Sequence, residues 1–150
     1  MQWAAGRRQI AIGSNKPRHP VPKKQSTMGG VKELIVYKKA FEVSMMVFRL
    51  SKKFPPEERY SMTDQCRRSS RSVCAQMAEA FRKRRYPLHF VAKLTDCDAE
   101  NSETQTWLDF AVACKYVAQS EIDEITALSE EVGNLLNAMI NNPDKWCGKH

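Results

Sequence analysis

Residues 31 to 54 repeat apolar side chains along two opposite lines of a helix, and a helix that is apolar on both sides must be covered on both sides. At about 100° per residue, Leu34, Tyr37, Phe41, Met45 and Phe48 fall on one stripe. Val36, Ala40, Val43, Val47 and Leu50 fall on a second, roughly opposite one. Lys38, Lys39, Glu42, Arg49 and Lys53 leave only a narrow band for water. An antiparallel bundle buries one stripe, and leaving the other in water would forgo roughly 1.5 to 3 kcal/mol per large aliphatic side chain. The sequence therefore reads as a homo-oligomer, with Val36, Ala40, Val43, Val47 and Leu50 assigned to the interface.

Three more helices follow. Pro55-Pro56 ends the first. The second opens at Thr63, a good N-cap ahead of Asp64 and Gln65, and continues to Arg84 on a core stripe of Cys66, Ser70, Val73, Met77 and Phe81. Arg67, Arg68, Arg71 and Arg82 lie within a quarter of its circumference beside that stripe, and Glu79 is within i+4 reach of Lys83. The third begins at Pro87 and runs to Lys115, with an unusually polar middle, TDCDAENSETQT. The fourth starts at Ser120, which forms a capping-box-like pair with Asp123, carries Ile122, Ile125, Leu128, Val132, Leu135, Leu136 and Met139, and stops at Asn141-Asn142-Pro143. No segment alternates like a strand. The expected fold is all-α: an up-down-up-down four-helix bundle over residues 31–142, followed by a short tail over 143–150.

The first 30 residues hold six Lys/Arg, no acid and three of the seven prolines. They read as a disordered basic tail. Met28 before Gly29-Gly30 reads as an alternative start, which would make residues 1–27 an extension. The remaining charge is divided: residues 31–93 carry 15 Lys/Arg against 6 Asp/Glu, and residues 94–150 carry 3 against 11. Either the halves neutralise each other, within the fold or between subunits, or part of the basic half stays open to phosphates.

Several classes drop out. No run of about 18 apolar residues is present to span a membrane, and no apolar core marks a secretory signal. Five cysteines without a C-x-x-C pair point to reduced thiols in a cytoplasm, with Cys66, Cys74, Cys97 and Cys114 as small core residues. A di-iron bundle needs Glu-x-x-His pairs, yet His89 is preceded three positions earlier by Tyr86. Asp96, Asp98, Glu100 and Glu103 spread over several helix faces, which favours pairing with arginines over a metal site. Trp107, Phe110 and Tyr116 read as core or interface aromatics before stacking platforms for bases. No phosphate loop, nucleophile elbow or cofactor signature appears, so neither an enzyme nor a cofactor is expected.

Leu34-Ile35-Val36-Tyr37-Lys38-Lys39-Ala40, Lys53 to Tyr60 with Thr63, Gln65 to Ser69, Ser72 to Glu79 and Glu100 to Gln105 together resemble the four-helix-bundle family of 23S rRNA intervening-sequence proteins, over residues 34 to about 142. Cys74, Gln76 and Ala80 stand where that family usually has proline, asparagine and glycine, which implies a more regular second helix. The resemblance implies a small non-enzymatic cytoplasmic protein assembled as a ring-like homopentamer. Its relatives include the accessory variability protein of diversity-generating retroelements, which partners a reverse transcriptase and binds nucleic acid. Two functions follow as expectations. One is a nucleic-acid-binding accessory factor for RNA or RNA/DNA, contacting phosphates through Arg67, Arg68, Arg71, Arg82, Lys83, Arg84 and Arg85. The other is a scaffold whose basic surface docks an acidic protein such as a reverse transcriptase.

Overall fold

The computed structural model describes residues 29–148, so most of the basic N-terminal segment lies outside the described residues. Four helices account for most of the rest: α1 (Ile35–Ser51), α2 (Met62–Arg82), α3 (Pro87–Ala113) and α4 (Gln119–Asn141). Each helix packs against its neighbours in sequence and α1 closes onto α4, with no close backbone approach across either diagonal. This is the up-down-up-down four-helix bundle, and among the described residues there is no strand.

The helix ends are set by groups other than the expected caps. α2 starts one residue before Thr63, and its cap comes from Glu58 in the preceding 3-10 turn (Pro56–Glu58). The Glu58 carboxylate accepts the Met62 N–H at 3.1 Å and the Ser61 hydroxyl, and its other oxygen accepts the Tyr116 hydroxyl at 2.9 Å. One carboxylate thus ties the α1–α2 connection to the α3–α4 connection, which positions everything at that end of the bundle. α4 starts at Gln119, and the Glu121 carboxylate accepts the Ala118 N–H at 2.8 Å. Asp123, expected to pair with Ser120, accepts instead from the Gln119 amide at 3.0 Å. After α3, Lys115 takes φ of 62°, and the Tyr116 N–H reaches back to the Ala111 carbonyl. That left-handed residue closes the helix, although a lysine Cβ is costlier there than glycine.

The core contains Val47, Cys66, Met77, Phe90, Leu94, Cys97, Leu108, Ala111, Val132 and Leu136, all fully buried. α1 supplies Val36, Ala40, Val43, Val47 and Leu50 to that same core. These five are the residues assigned above to a subunit interface, and that assignment is corrected: the protomer buries them itself. Its other stripe is the one left outside, with Phe41 at 53 % exposure and Leu34, Tyr37, Met45 and Phe48 half-buried. Cys114 is exposed, contrary to expectation, and Cys147 is buried in its place. Within the expected C-terminal tail, Pro143–Lys145 form a 3-10 turn, Trp146 is half-buried and Cys147 is buried.

The polar middle of α3 crosses the core. The Asn101 amide donates to the Ser129 carbonyl at 2.9 Å and its oxygen accepts the Ser129 hydroxyl at 2.8 Å, while Gln105 donates to the same hydroxyl at 2.8 Å. On the α2 side, Ser69 and Thr104 share a hydrogen bond of 2.8 Å. Paired this way, a buried polar layer avoids the desolvation penalty and fixes the register of α2, α3 and α4.

Burial leaves a signature at high pH. It pushes the Cys66 and Cys97 thiols up to about 12 and Cys74 to about 11, while the bond to Glu58 holds Tyr116 at about 12. A raised folded value means that the neutral group stabilises the fold below its unfolded value, 9.0 for the thiols and 10.0 for the tyrosine. Denaturant midpoints of the reduced protein are therefore expected to hold up to about pH 8 and fall steadily from about pH 9 to 12. A midpoint flat through that window would contradict the burial described.

Candidate nucleic-acid interface

The charge division of the sequence is settled partly inside the protomer. Lys39 pairs with Glu131 and Lys53 with Glu121 across the α1–α4 seam. Lys93 on α3 pairs with Glu79 of α2 at 2.8 Å, so Glu79 is engaged across the helices and not only toward Lys83. The pairing holds the Glu79 carboxyl below its ordinary range and raises Lys93. Arg68 reaches Glu100 at 3.4 Å and Glu103 at 3.1 Å, and Trp107 donates to Glu103 at 3.2 Å. Burial, with Glu103 alongside, pushes the Glu100 carboxyl up, and Arg68 opposes that shift. These acids therefore serve α2, and among the described residues no group of His, Cys, Asp and Glu is arranged to hold a metal ion.

Seven basic residues are expected to contact phosphates, and the structure sorts them. Arg67 and Arg71 stand together beside the C-terminal end of α1. The Arg67 Nε donates to the Ser51 hydroxyl at 2.7 Å, and its guanidinium lies over the Phe48 ring, 4.9 Å from the centroid. Arg71 and Lys52 lie over the same ring at 5.9 and 4.7 Å. Three cations around one half-buried ring are held by cation–π attraction in place of counter-charges. Arg68, which also lines the cleft beside them, is neutralised by Glu100 and Glu103 of α3.

The second cluster lies at the far end of α2, 11 to 15 positions from Arg71 and Arg67 and so roughly 17 to 22 Å along the helix. Arg82, Lys83 and Arg85 are exposed there. Arg84 is turned back: its Nε donates to the Phe81 carbonyl at 2.9 Å and its guanidinium sits 4.2 Å from the Phe81 ring. A basic side chain capping the last carbonyls of its own helix is a local signal, and Arg84 three residues after Phe81 carries it.

Two features escape sequence reasoning. Lys52 and Arg59 join Arg67 and Arg71 on a cleft of about 810 Å³ between the end of α1, the Pro55-Pro56 turn and the first half of α2. Among the described residues none of these four forms an ion pair. In the sequence the proline pair signals only a helix stop, and nothing local connects Arg59 to α2. The other feature is which of the two α1 stripes faces outward: it is the one read from the sequence as Leu34, Tyr37, Phe41, Met45 and Phe48, where Tyr37 and Phe41 stack with centroids 6.4 Å apart. Of the three aromatics weighed as stacking platforms, Trp107 and Phe110 pack together at 6.0 Å and Tyr116 is bound to Glu58. His89 is exposed beside Tyr86. Among the described residues no helix is long and apolar enough to cross a membrane.

Comparison with known proteins agrees with this architecture. Residues 32–138 match the model of the 23S rRNA-intervening sequence protein family. A crystal structure at 1.70 Å of a Bacteroides thetaiotaomicron protein of unknown function, from the S23 ribosomal protein family, superposes with a TM-score of 0.65 at 27 % identity. The match covers 72 % of this chain and 100 % of that one. No curated protein matches the chain. With the family model spanning the bundle from the start of α1 nearly to the end of α4, the chain belongs to the 23S rRNA-intervening sequence protein family.

Proposed function

We propose that this protein is a non-enzymatic nucleic-acid-binding factor that holds RNA, or an RNA/DNA hybrid, through the positive face of α2. One observation carries the reading: Lys52, Arg59, Arg67 and Arg71 converge on one cleft without an ion-paired acid, although the chain has acids enough to neutralise Arg68, Lys39, Lys53 and Lys93. The family name, which refers to sequences interrupting 23S rRNA, is in keeping with an RNA partner. Arg82, Lys83 and Arg85 add a second phosphate contact at the other end of the helix. No base-reading element accompanies them, so binding is electrostatic and sequence-tolerant.

The outward stripe of α1 favours a second, compatible reading, in which Leu34, Tyr37, Phe41 and Met45 pack against another copy of the chain; the alternative to nucleic-acid binding is a scaffold whose basic surface docks an acidic protein such as a reverse transcriptase. A ring-like homopentamer would repeat the clusters around one surface and multiply weak contacts.

RNA retention by the full-length protein at two salt concentrations tests the main reading. If about four phosphates are neutralised, affinity should fall roughly 50- to 150-fold between about 50 and 200 mM salt. Changing Arg82, Lys83 and Arg85 to Gln should lower both affinity and slope while the helical signal is kept. Failure to retain RNA even at low salt would leave the protein-docking reading in possession.

A further inference from the structure

We propose that the cleft between α1, the proline turn and α2 is a single-strand site, which seats an unpaired nucleotide with its phosphate on the cations and its base in the groove. The inference rests on the nucleic-acid reading above and adds which form of polynucleotide the site takes. Shape and lining both point this way. A surface that gathers phosphates from a duplex needs only charge, because duplex bases are stacked away from the protein and the backbone presents a convex ridge. This site is concave, and its volume of about 810 Å³ lies within the range of clefts that enclose small ligands. Its lining is mixed in kind. Lys52, Arg59, Arg67, Arg68 and Arg71 supply cations, and Pro55, Pro56 and the exposed Ala75 supply an apolar surface. A base that can splay out of a strand has an apolar face for that surface, and guanidinium planes are themselves stacking partners for bases.

The cations are also prepared in advance. Arg67 is fixed by its bond to Ser51 and by the Phe48 ring, so little side-chain freedom remains to be lost when a phosphate arrives. The proline turn is fixed too, since Glu58, two residues after Pro56 and within the same 3-10 turn, is bonded to Met62 and Tyr116. Asp64 is the one acid on the lining. It disfavours a second phosphate beside it but can accept a hydrogen bond from an amino group on a base edge. The far cluster of Arg82, Lys83 and Arg85 presents exposed side chains at the other end of α2, and it serves strand and duplex alike.

Fluorescence anisotropy with the full-length protein tests the idea, using labelled short oligo-U, oligo-dT and a mixed-sequence duplex of equal length. The single strands should bind roughly tenfold tighter than the duplex, the scale expected for stacking one base. Lys52→Gln with Arg71→Gln removes two exposed cations without touching the core, and should weaken single-strand binding roughly tenfold while duplex binding changes less than threefold. Arg67→Gln, with its fold checked by circular dichroism, should act in the same direction. Arg82→Gln with Arg85→Gln should instead weaken both forms equally. Preference for oligo-U over oligo-dT, or equal affinity for them, supports the site either way and differs only in naming the strand. Equal binding of strand and duplex, or equal losses for both on removing Lys52 and Arg71, would overturn the single-strand site and leave the general electrostatic reading standing. If neither form binds at low salt, both readings fall.

Discussion

Val47→Asp is expected to unfold the protomer, whereas Phe41→Asp on the opposite side of the same helix is expected to leave it folded. Val47 has no exposed surface and sits among core side chains, so a carboxylate there is a buried charge without a partner. The cost exceeds about 4 kcal/mol, a large part of the stability of a domain this size. Phe41 is 53 % exposed, and an aspartate there reaches water. Its effect on the protomer should stay within about 1 kcal/mol. Circular dichroism melts of the two variants separate the cases, and light scattering of Phe41→Asp adds a second result. If the outward stripe joins subunits, that variant is folded but dissociated. A cooperative, near-native melt for Val47→Asp would show that this stripe is not the core of the protomer.

The second large effect is expected at Asn101. Changing it to Leu keeps the branched shape in a larger side chain but strands the Ser129 hydroxyl, which loses its acceptor, in a buried layer. A loss of about 2 to 4 kcal/mol follows from one orphaned donor and the lost amide bond. Urea denaturation measures it. Adding Ser129→Ala to Asn101→Leu should cost less than the sum of the single changes, because the two side chains satisfy each other. Strict additivity would mean that the pair acts as two independent polar groups.

Much of the architecture was legible in the residues. Helical spacing and the Pro55-Pro56, Pro87 and Asn142-Pro143 punctuation located four helices with short connections, and short connections between helices of comparable length leave an antiparallel bundle as the simple solution. The regular α2 expected from Cys74, Gln76 and Ala80 is an unbroken helix from Met62 to Arg82. The helix starts were less legible. Thr63 has the chemistry of an N-cap, but Glu58 lies in a turn that places its carboxylate on the Met62 N–H first.

The residues alone set the phase of the side chains: which of them share a stripe, where the arginines cluster, and that one half of the chain is basic and the other acidic. A repeat of 3.6 residues fixes each side chain relative to its neighbours on the same helix. It says nothing about the direction in which another helix will approach. Packing between helices chose the stripe of Val36, Ala40, Val43, Val47 and Leu50 to face inward and Phe41 to face outward, because both stripes are apolar and the choice depends on which one fits against α2 and α4. The polar middle of α3 became a buried layer for the same reason, since Ser69 and Ser129 come from other helices. Folding likewise set Arg67 and Arg71, which have no ion-paired acid, apart from Arg68 on the same cleft, whose charge is met by acids more than 30 positions along the chain. Ion pairing and packing across helices are contacts between distant parts of the sequence, and their partners exist only once the chain has folded.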